Sequence, residues 1–242
     1  INDLTVIYLG KGKQETIGLD HFNATFEDKK INVVLGESGC GKTSLLNAIA
    51  QSIGFDGQIL FDGEEITKST LKDLNIAYIN QNFFVFPNKT VYESLAFPLK
   101  MQKINRKEID LRVKEISKLL QLDLCLTRYP KELSIGQVQR VAIGKALIKE
   151  PQLILMDEPL SNLDPMLRAQ ISLLIKDLAK SKGLTVVYVT HRYDEAMNIG
   201  DKIFIINQNG IEVSGTPSEI NKSKNELVKY LKKSIGKDDE KV

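Results

Sequence analysis

Gly36-Glu37-Ser38-Gly39-Cys40-Gly41-Lys42-Thr43 fits the pattern G-x-x-x-x-G-K-[ST]. In that pattern the glycines let successive backbone N–H groups turn inward around a polyphosphate. The lysine reaches the outer phosphates, and the final hydroxyl is offered to Mg²⁺. A second anion-binding signal follows at Leu133-Ser134-Ile135-Gly136-Gln137, a glycine-assisted helix start whose unpaired N–H groups would face an anion. Ser134-x-x-Gln137 is equally a capping box, which any helix can use.

Other candidates gather around these two. Leu153 to Glu158 reads as an apolar strand ending in Asp157-Glu158. A carboxylate at the C-terminal end of a strand in an open α/β sheet sits where ligands bind. Asp157 is the candidate to hold Mg²⁺, and Glu158 to orient and deprotonate an attacking water. Standing alone, the pair would be a solvated acidic turn before Pro159. Gln81 follows a strand ending at Ile79, and His191 one ending at Val189, on the sheet edge where the phosphate loop lies. Singly, Gln81 would be a loop residue and His191 a capped strand-end imidazole. Asp164-Pro165 is ordinary helix-start chemistry, with a further catalytic role open.

The elements that must position these groups follow from apolar patterning. Ile31–Leu35, Ile76–Ile79, Leu153–Met156, Thr185–Val189 and Ile203–Ile206 are continuous, β-branched-rich runs. They suit parallel strands buried on both faces. Helices are expected between them, over Thr43–Ser52 and Pro165–Lys180, which makes an α/β layout with a mainly parallel sheet. The stretch to about Phe26 and the segment Gln58–Glu65 alternate and contain Gly turns, as an antiparallel β edge does. From 88 to 150 the strand signal disappears. Thr90-x-x-Glu93 caps a helix that Pro98 is expected to kink or end. Ile109, Val113, Ile116 and Leu120 then form one helical stripe. Near the end, Thr216-Pro217-Ser218-Glu219 starts a helix, and Leu227, Leu231 and Ile235 mark a short amphipathic one in a Lys-rich tail. The expected division is an α/β core with its β subdomain over 1–87 and 151–220, a helical subdomain over 88–150, and a tail over 221–242.

The bulk numbers allow one large α/β unit with an inserted lobe: 242 residues, 42% hydrophobic and 26% charged. A net charge of +2 is too small to argue for a nucleic-acid partner. Cys40 and Cys125 make no disulfide framework, which favours a reducing, cytosolic setting. No apolar run is long enough to span a bilayer, and no signal-peptide pattern opens the chain. The chain begins at Ile1 rather than Met, so a few residues are expected to be missing or removed.

Taken in order, Gly36–Thr43, Gln81, Leu133–Gln137, Leu153–Glu158, Ser161–Asp164 and His191 resemble the Walker A, Q-loop, signature, Walker B, D-loop and H-loop of ATP-binding cassette (ABC) ATPases. Phe86–Val91, Asp157–Ser161 and Thr190–Met197 are most similar to bacterial importer subunits. The resemblance implies a P-loop NTPase core and a dimer that sandwiches two ATP molecules head to tail. Tyr8, Gly36, Glu37, Ser38, Gly39, Cys40, Gly41, Lys42, Thr43 and Ser44 would bind ATP, with Tyr8 stacking on adenine unless it is simply a strand aromatic. Thr43, Gln81 and Asp157 would hold Mg²⁺. Glu158, His191, Lys42 and Gln81 would be catalytic. Ser134, Ile135, Gly136, Gln137 and Asp164 would serve the ATP of the partner copy. The partners implied are a second ATPase subunit, transmembrane permease subunits reached through the Gln81 loop and the helical lobe, and a solute-binding protein. Work would be done at the cytoplasmic face of a membrane.

Two positions depart from the family's pattern. Ile135 replaces the usual signature glycine, so the backbone there must be unstrained. Arg192 stands where importers often have an acidic residue. The chain ends too early for the large C-terminal regulatory domain of sugar-importer subunits, so that control is expected to be absent or elsewhere. The alternatives are an exporter or lipid-extraction subunit, a non-transport ABC protein acting on DNA or ribosomes, and a phosphate-loop kinase. The last would leave Ser134–Gln137 and His191 unexplained.

Overall fold

The computed structural model describes residues 1–9, 15–66, 75–80, 85–161 and 163–233. Strands β1 (Asn2–Leu9) and β2 (Glu15–Phe22) form an antiparallel pair, and β4 (Asp56–Gln58) joins the other side of β1 to give the order β2-β1-β4. The phosphate loop lies between β3 (Ile31–Leu35) and helix α1 (Lys42–Ile49). A small hairpin, β5 (Leu60–Phe61) with β6 (Glu64–Glu65), follows.

The remaining strands are β7 (Ile76–Ile79), β8 (Leu153–Asp157), β9 (Thr185–Thr190), β10 (Lys202–Asn207) and β11 (Gly210–Gly215). With β3 they make a six-stranded sheet in the order β11-β10-β3-β9-β8-β7, parallel except for β11. Between β7 and β8 come α2 (Val91–Met101), α3 (Arg106–Leu119) and α4 (Ile135–Leu147). Helices α5 (Pro165–Lys182), α6 (Tyr193–Ile199), α7 (Pro217–Lys222) and α8 (Glu226–Lys233) complete the described fold. None of its helices is long and apolar enough to cross a membrane.

The sheet is apolar on both faces because a separate core covers each. In β3, Ile31, Val33 and Leu35 face a cluster that includes Leu95 of α2, Val113 of α3, Val141 of α4, Ile171 of α5 and Ala196 of α6. Val34 faces the other way, toward Leu45 and Leu46 of α1 and toward Leu4, Val6 and Phe22 of the antiparallel sheet. Strand β9 alternates likewise, Val186 and Tyr188 against Val187 and Val189. Burying a side chain such as Val34 or Leu35 contributes roughly 1.5–3 kcal/mol, and the two cores together fix the strand ends that carry the chemistry.

Most expected elements are present, with local differences. The helix expected over Thr43–Ser52 spans Lys42–Ile49, because Gln51 turns left-handed (φ 54°) and its N–H bonds to Ala48 O. Pro98 does not end α2, which continues to Met101. Leu95 and Leu99, both fully buried, hold it against the core despite the missing N–H. Strand β11 and helix α6 carried no clear sequence signal. The capping boxes at Thr90 and Thr216 form, and Ile109, Val113, Ile116 and Leu120 are buried on one stripe. In the tail, Leu231 is buried and Leu227 packs against the core, while Ile235 lies outside the described residues.

Candidate nucleotide site

The phosphate loop leaves β3 in the middle of the sheet, where neighbouring strand ends can reach it. Gly36 N–H donates to Thr190 O of β9 at 3.4 Å. Gly41 caps α1 with φ 93°, and a Cβ there would fall 2.2 Å from Gly18 O of β2, so both conformation and space require glycine. Lys42 is 5% exposed, and its Nζ donates to Gly36 O (2.8 Å) and Glu37 O (2.7 Å) across the loop. Glu37, Ser38 and Gly39 are exposed at the tip, while Cys40 is buried, which pushes its thiol up from the ordinary value. Ser44 accepts the Tyr8 hydroxyl at 3.0 Å, and the Tyr8 ring lies so close over Gly18 that a Cβ there would meet it at 2.7 Å. The Tyr8 side chain, carried by β1, thus stands beside Ser44 at the end of the phosphate loop.

The acidic pair of β8 closes the other side. Thr43 Oγ1 donates to Asp157 Oδ1 at 3.2 Å, and the Tyr78 hydroxyl stands 3.3 Å from Asp157 Oδ2 and 3.2 Å from Asn47 Oδ1 of α1. Burial pushes the Asp157 carboxyl up, against the hydrogen bonds from Thr43 and Tyr78 and the charge of Lys42. His191 Nδ1 is 3.0 Å from Glu158 Oε2. That contact holds the Glu158 carboxyl below its ordinary range despite partial burial. Glu158 also has φ 44°, a left-handed conformation that costs about 1–3 kcal/mol in a non-glycine residue. Three bonds over-determine it: Glu158 N–H to Val189 O (3.0 Å), and Ser161 N–H (3.3 Å) and Oγ (3.1 Å) to Glu158 O.

Thr43 and Asp157 are hard oxygen donors of the kind Mg²⁺ accepts, in the small number expected when phosphate and water oxygens supply the rest. Among the described residues no group of three or more His, Cys, Asp and Glu stands ready to hold a metal.

The second signal lies elsewhere in the fold. Ser134 is the N-cap of α4. Its N–H donates to Gln137 Oε1 (3.0 Å), and Gln137 N–H donates to Ser134 Oγ (3.3 Å). Gln137 Nε2 reaches Cys125 Sγ at 3.5 Å, and a Cβ on Gly136 would fall 2.8 Å from Leu167 of α5. Ile135, the departure from pattern, is 68% exposed and free of positive φ, so its backbone is unstrained. Asp164 caps α5 by accepting Leu167 N–H at 2.9 Å. Among the described residues no hydrogen bond or ion pair joins this group to Gly36–Thr43.

Lys42, Thr43, Asp157, Glu158 and His191 are thus brought together, with Tyr8 and Ser44 beside them. Ser134, Ile135, Gly136, Gln137 and Asp164 form a separate group. Gln81 lies outside the described residues. Sequence reasoning missed Tyr78, because only the pairing of β7 with β8 puts it next to Asp157. Arg192, noted in the sequence only as a departure from the family's pattern, is 8% exposed and pairs with Asp194 at 2.9 Å. Glu195 and Arg168, both buried, were given no role by the sequence reading.

Known proteins give this geometry a family. The sequence profile of the ABC transporter family matches residues 19–161. The trehalose/maltose import ATP-binding protein MalK of Thermococcus litoralis is 41% identical over 213 residues, covering 85% of this chain and 57% of that protein. The sn-glycerol-3-phosphate import ATP-binding protein UgpC of Bartonella quintana is 43% identical over 206 residues, 84% of this chain and 58% of that protein. The chain therefore spans less than two thirds of the length of these relatives. Among solved structures, the dimeric ATP-binding cassette MJ0796, in a post-hydrolysis state bound to ADP and Pi, superposes with a TM-score of 0.78 at 28% identity over 89% of this chain and 97% of that one. CbiO1 from Clostridium perfringens, part of the ABC transporter complex cbiONQ, does so with a TM-score of 0.81 at 26% identity over 98% and 96%. With the family's profile over residues 19–161 and relatives more than 40% identical over most of its length, this chain belongs to the ABC transporter family.

Proposed function

We propose that the chain is an ATP-hydrolysing subunit that works as a head-to-tail pair and powers import of a small solute through membrane-embedded permease subunits. The observation that carries the reading is the Glu158–His191 pair, 3.0 Å apart at the end of β8 and one residue from Asp157, beside the loop that carries Lys42. Mg²⁺, held by Thr43 and Asp157 together with the phosphates, would neutralise developing charge at the terminal phosphate. Lys42 binds the outer phosphates. Glu158, kept ionised by His191, accepts a proton from the attacking water, and His191 fixes the carboxylate's direction. Gln81 is assigned to the metal and to coupling with the permease.

The exposed helix start at Ser134–Gln137 is assigned to the ATP of the partner copy, with Asp164 nearby. Its N–H groups and the positive end of the α4 dipole suit a phosphate presented from outside the chain. Support for the pair comes from the dimeric cassette whose fold this chain shares, and support for import from relatives named as import ATP-binding proteins. A solute-binding protein, attachment to the cytoplasmic face of a membrane, and the division into core, helical subdomain (88–150) and tail belong to the same reading.

The experiment is Glu158→Gln with Mg²⁺ and ATP. Turnover should nearly vanish while ATP holds the protein as a dimer, observed by size-exclusion chromatography with light scattering. Turnover within a few-fold of wild type would sink the role of Glu158.

A further inference from the structure

We propose that Glu195 is a positioning residue for His191: from inside the protein it fixes the two residues that flank the histidine and so sets where the imidazole stands relative to Glu158. The proposal rests on the hydrolytic reading of the Glu158–His191 pair. Glu195 is on α6, 4% exposed, on a helix otherwise seated by Tyr193, Ala196 and Ile199. Its Oε1 accepts the hydroxyl of Tyr188, itself fully buried, and its Oε2 accepts Thr190 Oγ1–H at 3.3 Å. Thr190 Oγ1 in turn accepts Arg192 N–H at 3.1 Å, and Thr190 O accepts Gly36 N–H at 3.4 Å.

The backbone on both sides of His191 is therefore tied to one buried carboxylate and to the phosphate loop. A carboxylate in such a place is costly unless paired. Burial pushes it up, while the Tyr188 hydroxyl and the charge of Arg168 hold it down. Arg168, also buried, donates to Leu163 O (2.6 Å) and Leu160 O (3.4 Å) just before α5, and lines with Glu195 a cavity of about 360 Å³ between α5 and α6. An apolar residue would fill this position at lower cost but could not orient Thr190.

The test uses the whole chain labelled with ¹⁵N-histidine. The sequence has two histidines, so exposed His21 serves as an internal reference. Thr190→Val, and Glu195→Ala combined with Tyr188→Phe so that no buried hydroxyl is stranded, should each shift the His191 ring resonances. Thr190→Ser and Tyr188→Phe alone should leave them in place, and His21 should not move in any variant. In ATP turnover, Thr190→Val should lower kcat about tenfold at unchanged KM. Added to His191→Ala, it should cost less than a further twofold.

An unmoved His191 in either the Thr190→Val or the Glu195→Ala/Tyr188→Phe protein overturns the proposal. So does a kcat loss fully additive with His191→Ala, or a shift as large with Tyr188→Phe alone. If the double variant fails to fold, the Thr190→Val and Thr190→Ser pair decides. The ring resonances do not depend on turnover, so a wild-type chain without ATPase activity would end the functional reading while leaving this one to be decided separately.

Discussion

The Gly36–Thr43 loop and the Ser134–Gln137 helix start are the two anion-binding signals of the sequence, yet they are built in opposite ways. At the loop, contacts run to different strands: Gly36 to β9, Gly41 against β2, Thr43 to Asp157 of β8, and Lys42 buried across the mouth. At the helix start, Ser134 and Gln137 bond mainly to each other, Gly136 presses on Leu167, and Ile135 stands 68% exposed. The first site is organised by the tertiary structure of the chain itself. The second is satisfied locally, with Ile135 turned to solvent.

The most damaging way to probe this contrast is Glu158→Gln, which should reduce turnover by 10² to 10⁴, on the order of a lost general base, with ATP binding retained. Next, Lys42→Ala should weaken ATP binding roughly 10- to 100-fold, read by nucleotide fluorescence, because charge-assisted bonds to the phosphates are removed. Ile135→Glu should leave ATP binding to the separate chain intact while abolishing nucleotide-driven dimerisation through charge repulsion. Mixing these two inactive variants should restore part of the activity, since each brings the half that the other lacks. No recovery on mixing would contradict the division into halves. A milder change, Ile135→Gly, should lower stability by about 0.5–1 kcal/mol in thermal melts and alter turnover by no more than a few-fold.

The smallest effect concerns pH. The α2 box uses Glu93, whose carboxyl is held below its ordinary range chiefly by the Thr90 N–H bond. A depressed carboxylate stabilises the fold above its ordinary value, and that contribution is lost as pH falls through the lowered one. The α4 box uses neutral Gln137. Acidification should therefore loosen the N–H of Thr90 but not that of Ser134, in hydrogen exchange corrected for intrinsic rates.

Legibility followed the range of the interactions. The apolar runs at Ile31–Leu35, Leu153–Met156 and Thr185–Val189 coincide with strands, because strands buried on both faces must be apolar throughout. Capping boxes at Thr90, Ser134 and Thr216 were readable for a similar reason: donor and acceptor lie three residues apart. The end of α1 was not readable, since it depends on Gln51 adopting a left-handed turn. Strand β11 was missed because a hairpin partner such as Gly210–Gly215 is only half-buried and carries little apolar signal.

The same boundary runs through the candidate site. By itself the sequence determined which groups are available: a glycine loop with Lys42 and Thr43, carboxylates at Asp157 and Glu158, an imidazole at His191, and a capped helix start at Ser134. These are properties of residue type and short spacing. Only the tertiary structure decided that β9 lies between β3 and β8, which sets His191 against Glu158 and Thr190 against Gly36. It alone placed Tyr78 on Asp157 and Glu195 beneath Thr190, and kept Ser134–Gln137 apart from the loop. Strand order and burial depend on contacts between residues far apart in the chain, and no local pattern encodes them.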